Sequence, residues 1–421
     1  MQQMNWDLAG VPAYTDGDLR PELFCVGSGR ADDAEGLTGE EGYMYVVEQT
    51  TAEAFTAYAN ALPDAGFTQE FAREDAYGIY RGYRKDGVRL YAYFIRSYGT
   101  ARIITDRVSC SLDEFSMSSD APKFPDTALM QFGMRYADDP AGGDTKGVLA
   151  DCGMTYLWRT RSGKLIFVDG GEIEQCTPTA MQELVTRMHD LTGTAPGEKM
   201  TVALWICTHP HDDHMDMFRV LLEQYGGELN VERVMFNFPA ASVVPPADYV
   251  RAMRRTLARA CPDALYLKPH TGMKLQMDSV EIEILLTAED SLTLVGKVTP
   301  NKSSLMMRFS FEGSTAVLLA DANDELGGHF SRYHEPAPIR CDYLQTAHHL
   351  INLDETIYSQ IVTENVLIPE SRYVLQHRHW DNYLNLATHF DRDKFYMAGD
   401  YTVVFKANGE KTETLFYPVV Y

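Results

Sequence analysis

The sequence contains no long hydrophobic run: no window approaches the roughly 18 consecutive apolar residues that a membrane-spanning helix requires. Its opening stretch, from Met1 to Glu22, carries neither the basic cluster nor the apolar segment of a secretory signal, so a cytoplasmic location is expected. Cysteine is sparse: Cys25, Cys110, Cys152, Cys176, Cys207, Cys261 and Cys341 are odd in number, scattered, and never paired as C-x-x-C. A disulfide framework and a cysteine zinc knuckle are therefore not expected, which suits a reducing compartment. Basic residues are also short, with 37 Lys and Arg against 60 Asp and Glu and a formal net charge of -23. Such a surface is soluble and repels polyanions and anionic headgroups, so nucleic acid and membrane are disfavoured as partners.

What remains is an ordinary globular composition, 45% hydrophobic and 23% charged over 421 residues, long enough for two or three domains. Tyr43 to Gln49 reads as a strand, and Thr50 to Phe67 as an amphipathic helix entered through a threonine cap. TQEFARED, YGIYRGYRKD, RLYAYFIRSY and ARIITD read as further strands. Their aromatic and polar residues alternate as on a sheet with one buried face, so residues 1–110 are read as a small α+β domain of unassigned role. The run CSLDEFSMSSDAPKFPD lacks periodicity and places a linker at 111–127. From 128 to 421 strands and helices alternate, which predicts a layered α/β domain. Within it a helix is expected from just after His214 to about Tyr225. ENVLIPESRYVLQ is expected as a strand, with HRHW in the loop beyond it.

The chemistry concentrates after the buried strand VALWIC, in His209, His211, Asp213 and His214. On an extended segment His209 and His211 point to one side, while the turn into a helix returns Asp213 and His214 from another, so one loop can feed two metal ions. With 12 His in 421 residues, three at chosen offsets arise by chance about 0.01 times per chain. Cys207 lies on the strand side and reads as core rather than ligand.

His-x-His-x-Asp-His after a buried strand resembles the signature of the metallo-β-lactamase superfamily of binuclear metal hydrolases, and further matches follow in order. Asp169, ending LIFVDGG, matches the family's buried acid that supports the metal loop. Asp321, ending TAVLLAD, matches the carboxylate that bridges both metals. His348 and His349 in DYLQTAHHL match the last ligand motif. The resemblance implies an αββα sandwich over about residues 128 to 421, with His209, His211, Asp213, His214, Asp321 and His349 as metal ligands. NKSSLMMRFSFEGSTAVLLAD is similar to a branch that includes competence-type DNA-uptake hydrolase domains and phosphorylcholine esterases, both acting on phosphodiesters. In that branch His349 is the ligand and His348 the contact to the reacting phosphoryl oxygens, though the pair can be exchanged. The family's further ligand His has one candidate here, His270 in LYLKPHTGMKL; without it the first metal is held by His209, His211, Asp321 and solvent.

The resemblance thus implies two divalent ions. All-His/Asp ligation suits Zn²⁺ and also accommodates Mn²⁺ or Fe²⁺. The expected activity is hydrolysis of a small anionic phosphoester or phosphodiester by a metal-bridging hydroxide. Asp213 would serve as ligand and orienting base, and a protonated His348 would stabilise developing charge. His377, His379 and Trp380 of HRHW could add anion-gripping groups or simply begin a core helix. Two alternatives stay open: a lactone, thioester or amide hydrolase on the same fold, which a His270 ligand would favour, and a non-enzymatic binding or sensory module with a structural metal. No feature sets the oligomeric state.

Overall fold

The computed structural model describes residues 10–26, 42–118, 120–134, 153–239, 248–291, 299–322, 324–335, 337–352 and 355–419. It is a mixed α/β architecture built on three sheets. The first is antiparallel, with strands in the spatial order Asp18–Val26, Gly42–Glu48, Thr100–Arg107, Val88–Ile95, Gly78–Lys85 and Thr68–Glu74. The second runs Leu265–Leu267, Arg233–Met235, Met200–Ile206, Leu165–Val168, Tyr156–Arg159, Thr127–Gln131, Tyr401–Ala407 and Thr412–Pro418, with Leu229–Val231 also pairing with Met200–Ile206. The third runs Lys274–Met277, Val280–Leu286, Met306–Phe311, Ser314–Leu318, Ile339–Gln345, Ile361–Ile368 and Phe395–Met397.

The second and third sheets face each other, and the period-two alternation of their strands builds the sandwich. Tyr156, Trp158, Ile166 and Val168 point into the core shared with Phe309 and Phe311. Leu157, Leu165 and Phe167 point the other way, under the helices Pro178–Thr192, Asp212–Tyr225 and Asp248–Ala260. Trp158 stacks on Phe309 across the interior with ring centroids 4.0 Å apart. Helices Asp324–Tyr333 and Trp380–His389 close the far side through Leu326, Phe330, Tyr383 and Leu386. The order helix, sheet, sheet, helix is the αββα arrangement expected. Among the described residues no helix is long and apolar enough to cross a membrane.

The N-terminal sheet departs from the expectation of one buried face. One face, with Val47, Leu90, Ala92 and Ile103, packs under the helix Ala52–Ala61, which Thr51 caps by accepting from the Ala54 amide. The other, with Met44, Val46, Tyr91, Tyr93 and Ile104, joins the core of the sandwich, so every residue of Val88–Ile95 is buried. Tyrosines alternate with aliphatics there because tyrosine buries its ring and spends its hydroxyl on a partner across the interface. Tyr91 OH donates to Thr271 O at 3.1 Å, and Tyr93 OH to Asp290 Oδ1 at 2.8 Å. Gly272, at φ +86, lies so close beneath Tyr80 that a Cβ would sit 1.9 Å from its ring.

Three local readings also shift. The run 111–127 contains a helical turn, Leu112–Phe115, closed by a Ser111–Glu114 capping box, and the Met117 amide donates to Gln276 O at 2.8 Å. The helix expected after His214 starts at Asp212, so Asp213 and His214 lie in its first turn. ENVLIPESRYVLQ is half strand, ending at Ile368, and half helix, because Ser371 caps Arg372–Arg378 by accepting from the Val374 amide.

Candidate metal centre

The centre sits at one edge of the sandwich, where strand ends of both sheets release their loops. Met200–Ile206 delivers His209 and His211 through an extended turn. The helix Asp212–Tyr225 then presents Asp213 and His214. From the facing sheet, Ser314–Leu318 leads to Asp321 and Ile339–Gln345 to His348 and His349. Two groups of donor atoms result, each spanning no more than 4.8 Å: Asp213, His214, Asp321 and His349 in one, and His209, His211 and Asp321 in the other. Asp321 belongs to both.

Hydrogen bonds behind the imidazoles choose which nitrogen faces the centre. Asp169 is fully buried and accepts from the Thr208 amide (2.7 Å), the Thr208 hydroxyl (2.7 Å) and His214 Nδ1 (2.8 Å). His214 Nε2 is thereby left with its lone pair towards Asp321 Oδ1, at 3.2 Å. Because the Thr208 hydroxyl gives its proton to Asp169, it accepts from His209 Nδ1 at 3.1 Å. His209 Nε2 then faces His211 Nδ1 at 3.2 Å and Asp321 Oδ2 at 3.7 Å. His349 Nδ1 donates to Pro369 O at 2.9 Å, leaving Nε2 3.0 Å from Asp213 Oδ2 and 3.5 Å from Asp321 Oδ1. Asp169 thus braces the metal loop from behind.

The donor set fits a pair of divalent cations. His214 Nε2, His349 Nε2 and Asp321 Oδ1 are buried without a hydrogen-bond partner, although each lies close to another donor atom of the set. They converge on a common point rather than on one another. A buried polar atom left unsatisfied costs about 1–3 kcal/mol, which a shared cation removes. Protonation reveals the same demand. Burial opposes charge on His214 and His349, but Asp321 and then Asp213 outweigh it and hold both rings well above the ordinary imidazole range. Burial would raise Asp321, yet His214 and His349 keep it well below the ordinary carboxylate range. His209 and His211 are lowered by burial and remain neutral donors.

The turn carrying the last two histidines is strained. His348, His349 and Leu350 have φ of 47°, 51° and 63°, a left-handed run that costs non-glycine residues about 1–3 kcal/mol each. It is held by the His348 amide on Ala320 O, by Tyr358 OH accepting from the Ala347 amide, and by Asn382 Nδ2 donating to Leu350 O and Ile351 O. His348 stands beside the cluster, with Nε2 3.8 Å from Asp321 Oδ2, and lies between the carboxamides of Asn301 and Asn352, each at 3.0 Å. Burial lowers its pKa, which works against the cationic form expected of it.

His270 is not at the centre. Its Nε2 lies 2.7 Å from Asp106 Oδ2 and its Nδ1 3.0 Å from both Glu289 oxygens, under the ring of Tyr91, at the contact with the N-terminal sheet. The pairing with Asp106 leaves no local signal, since 163 residues of chain lie between them. Cys207 is core, as expected. His377 stacks on Tyr373 at the end of one helix and Trp380 on Tyr383 at the start of the next, so HRHW joins two helices through the single non-helical residue His379 rather than forming a loop after a strand. Asn301, Ser304, Asn352 and Asn382 carry no local signal of a role at the centre, since isolated polar residues in turns are common; Asn301 and Ser304 alone fall in a stretch with family resemblance, NKSS.

No protein-family model matches the chain, and no curated protein matches it. Several solved structures align with it. The metallo-β-lactamase fold protein YhfI from Bacillus subtilis is 15% identical over 67% of this chain and 100% of its own, with a TM-score of 0.36. CmlA, a diiron β-hydroxylase from Streptomyces venezuelae, is 13% identical over 78% of this chain and 69% of its own, with a TM-score of 0.38. Zn²⁺-bound PqqB from Methylobacterium extorquens is 8% identical over 65% of this chain and 99% of its own, also at 0.38. Likeness this distant carries no argument about activity, which rests on the site itself. The sheets and the site define a class: a layered α/β protein with two His/Asp donor groups joined through one aspartate.

Proposed function

We propose that the chain is a hydrolase that uses two divalent metal ions, most suitably Zn²⁺, on a small anionic phosphoester or phosphodiester. The observation that carries this reading is Asp321, whose carboxylate belongs to both donor groups, one oxygen facing each. A carboxylate shared in this way suits two ions a few ångströms apart. His209, His211 and Asp321 would hold one ion; Asp213, His214, Asp321 and His349 the other. When bound, such a pair supplies an acidified water and polarises the oxygen under attack.

The chain's own groups do the rest. Asp169 and Pro369 O fix the tautomers of His214 and His349, so the donor lone pairs are oriented before any ion arrives. Asp213 has one oxygen beside His349 and His214, and its carboxylate orients the attacking water and accepts its proton. His348, whose two ring nitrogens lie 3.0 Å from Asn301 and Asn352, stands beside the centre and would meet a nonbridging oxygen of the substrate by giving up one of those two bonds. The position of His270 supports the phosphoester reading over the lactone, thioester or amide one, because the ligand that would have favoured the latter is engaged elsewhere. The balance of -23 favours a small substrate over nucleic acid.

The test is metal content by elemental analysis together with turnover of bis(p-nitrophenyl) phosphate in Zn²⁺ and Mn²⁺, alongside a panel of lactones and esters. Two ions per chain and phosphodiester turnover that Asp213→Ala abolishes are expected. Absence of bound transition metal, or unchanged turnover in Asp213→Ala, refutes the reading.

A further inference from the structure

Among the described residues the N-terminal sheet places no side chain in either donor group, yet a continuous line of hydrogen bonds runs from it to the turn beside His348 and Asp321. From this line we infer that Arg102 is a positioning residue for the reaction, acting through Ser291 and the turn Pro300–Ser303. This rests on the hydrolase reading above.

The line begins with Arg102 in the strand Thr100–Arg107, a buried guanidinium at the sheet contact. Its Nε donates to Glu289 O and its Nη2 to Asp290 O, both at 3.2 Å, while Nη1 reaches Tyr333 OH at 3.3 Å. The two carbonyls belong to the one-turn helix Ala288–Ser291, too short to satisfy its own ends, so an outside donor fixes its backbone. The planar guanidinium suits two adjacent carbonyls in a way a single ammonium does not. Tyr93 adds a second grip from the same sheet by donating to the Asp290 carboxylate.

From that helix the Ser291 hydroxyl donates to Lys302 O at 2.9 Å. Lys302 lies in the turn Pro300–Ser303, which with the next two residues, Ser304 and Leu305, makes three bonds towards the centre. Asn301 Nδ2 is 3.0 Å from His348 Nε2, Ser304 Oγ accepts from the Asp321 amide at 3.1 Å, and the Leu305 amide donates to Thr208 O at 3.1 Å. The turn therefore touches His348, the shared carboxylate's backbone and the root of the His209 loop at once. A shift of Ser291 would be felt at all three, and Arg102 is the residue of the N-terminal sheet that fixes the backbone of the helix carrying Ser291.

The experiment compares Arg102→Leu and Ser291→Ala with Arg73→Leu, which breaks an ion pair of the same sheet with Glu283, away from the turn. In the metal-free protein, exchange of the Ser304 and Leu305 amides should rise about fivefold in Arg102→Leu and Ser291→Ala, the worth of one hydrogen bond. It should stay within about twofold of wild type in Arg73→Leu, as for an uncoupled site. In the metal-loaded protein the first two should lose about tenfold in kcat on bis(p-nitrophenyl) phosphate with KM nearly unchanged, the pattern of a group misplaced only for the transition state. Exchange in Arg102→Leu and Ser291→Ala no faster than in Arg73→Leu overturns the inference. Should Arg102→Leu not fold, Ser291→Ala decides alone. If wild type turns over no phosphodiester, the hydrolase reading fails while the exchange comparison still decides the line.

Discussion

Replacing Asp169 by asparagine keeps the shape of the side chain and removes its charge, and the consequence for the metal centre follows from its three partners. One oxygen accepts from the Thr208 amide, the other from the Thr208 hydroxyl and from His214 Nδ1. An asparagine can leave its carbonyl on the Thr208 amide, but its NH₂ then faces the hydroxyl and the imidazole, which are both donors. The hydroxyl can rotate to accept. His214 can comply only by moving its proton from Nδ1 to Nε2, and Nε2 is the atom that points at Asp321 from 3.2 Å. A donor lone pair at the centre is thus exchanged for an N–H. Losing the partner that orients a ligand typically costs about 10–100-fold in metal affinity, or about 1.4–2.7 kcal/mol. Because Thr208 also sets the His209 tautomer, both donor groups should weaken, the one containing His214 more. Competition of purified Asp169→Asn against a chromophoric chelator, with Zn²⁺ as the titrant and circular dichroism to verify folding, measures this. Two Zn²⁺ bound with affinities within about twofold of wild type would refute the tautomer argument.

Other outcomes follow from the same geometry. Asp321→Ala removes the group shared by both donor sets and should reduce bound metal to one ion or none, read by elemental analysis, with turnover lost. His270→Ala should bind the same amount of metal as wild type but lose about 1–3 kcal/mol of stability in denaturant unfolding, since it leaves Asp106 and Glu289 buried with Lys268 alone to offset two carboxylates. The same cluster sets a pH dependence. Burial opposes charge on His270, but Glu289 and Asp106 raise its pKa, so its contribution is complete below the unfolded value of about 6.5 and fades as pH rises through the folded one. Asp106 and Glu289, despite burial, are held low chiefly by Lys268 and His270 respectively, so their contribution is present above about pH 4 and is lost as pH falls. The difference in unfolding midpoint between wild type and His270→Gln should therefore be largest between about pH 5 and pH 6.5. Leu350→Gly tests the strained turn: relief of its left-handed φ is opposed by the loss of a fully buried side chain worth about 1.5–3 kcal/mol, so net destabilisation is expected in thermal unfolding.

The sequence by itself determined those features in which the signal is short-range. The helix entered through a threonine cap and the β-rich runs of the N-terminal region are legible, because period and capping are properties of a few adjacent residues. His209, His211, Asp213 and His214 stood out for the same reason, since one loop supplies four donor groups within six residues. Tertiary structure decided everything that depends on which distant segments meet. Asp321 joins two donor groups because the strand before it lies in the sheet that faces Met200–Ile206. His270, the one candidate for a further ligand histidine, is claimed instead by Asp106 from the N-terminal sheet. That sheet reads as one-sided because its aromatics alternate with polar residues, whereas both faces are buried and the hydroxyls of Tyr91 and Tyr93 are spent on Thr271 and Asp290 inside the protein. A polar atom's partner is a fact of three dimensions, and a local pattern records that a partner is needed without recording which one it is.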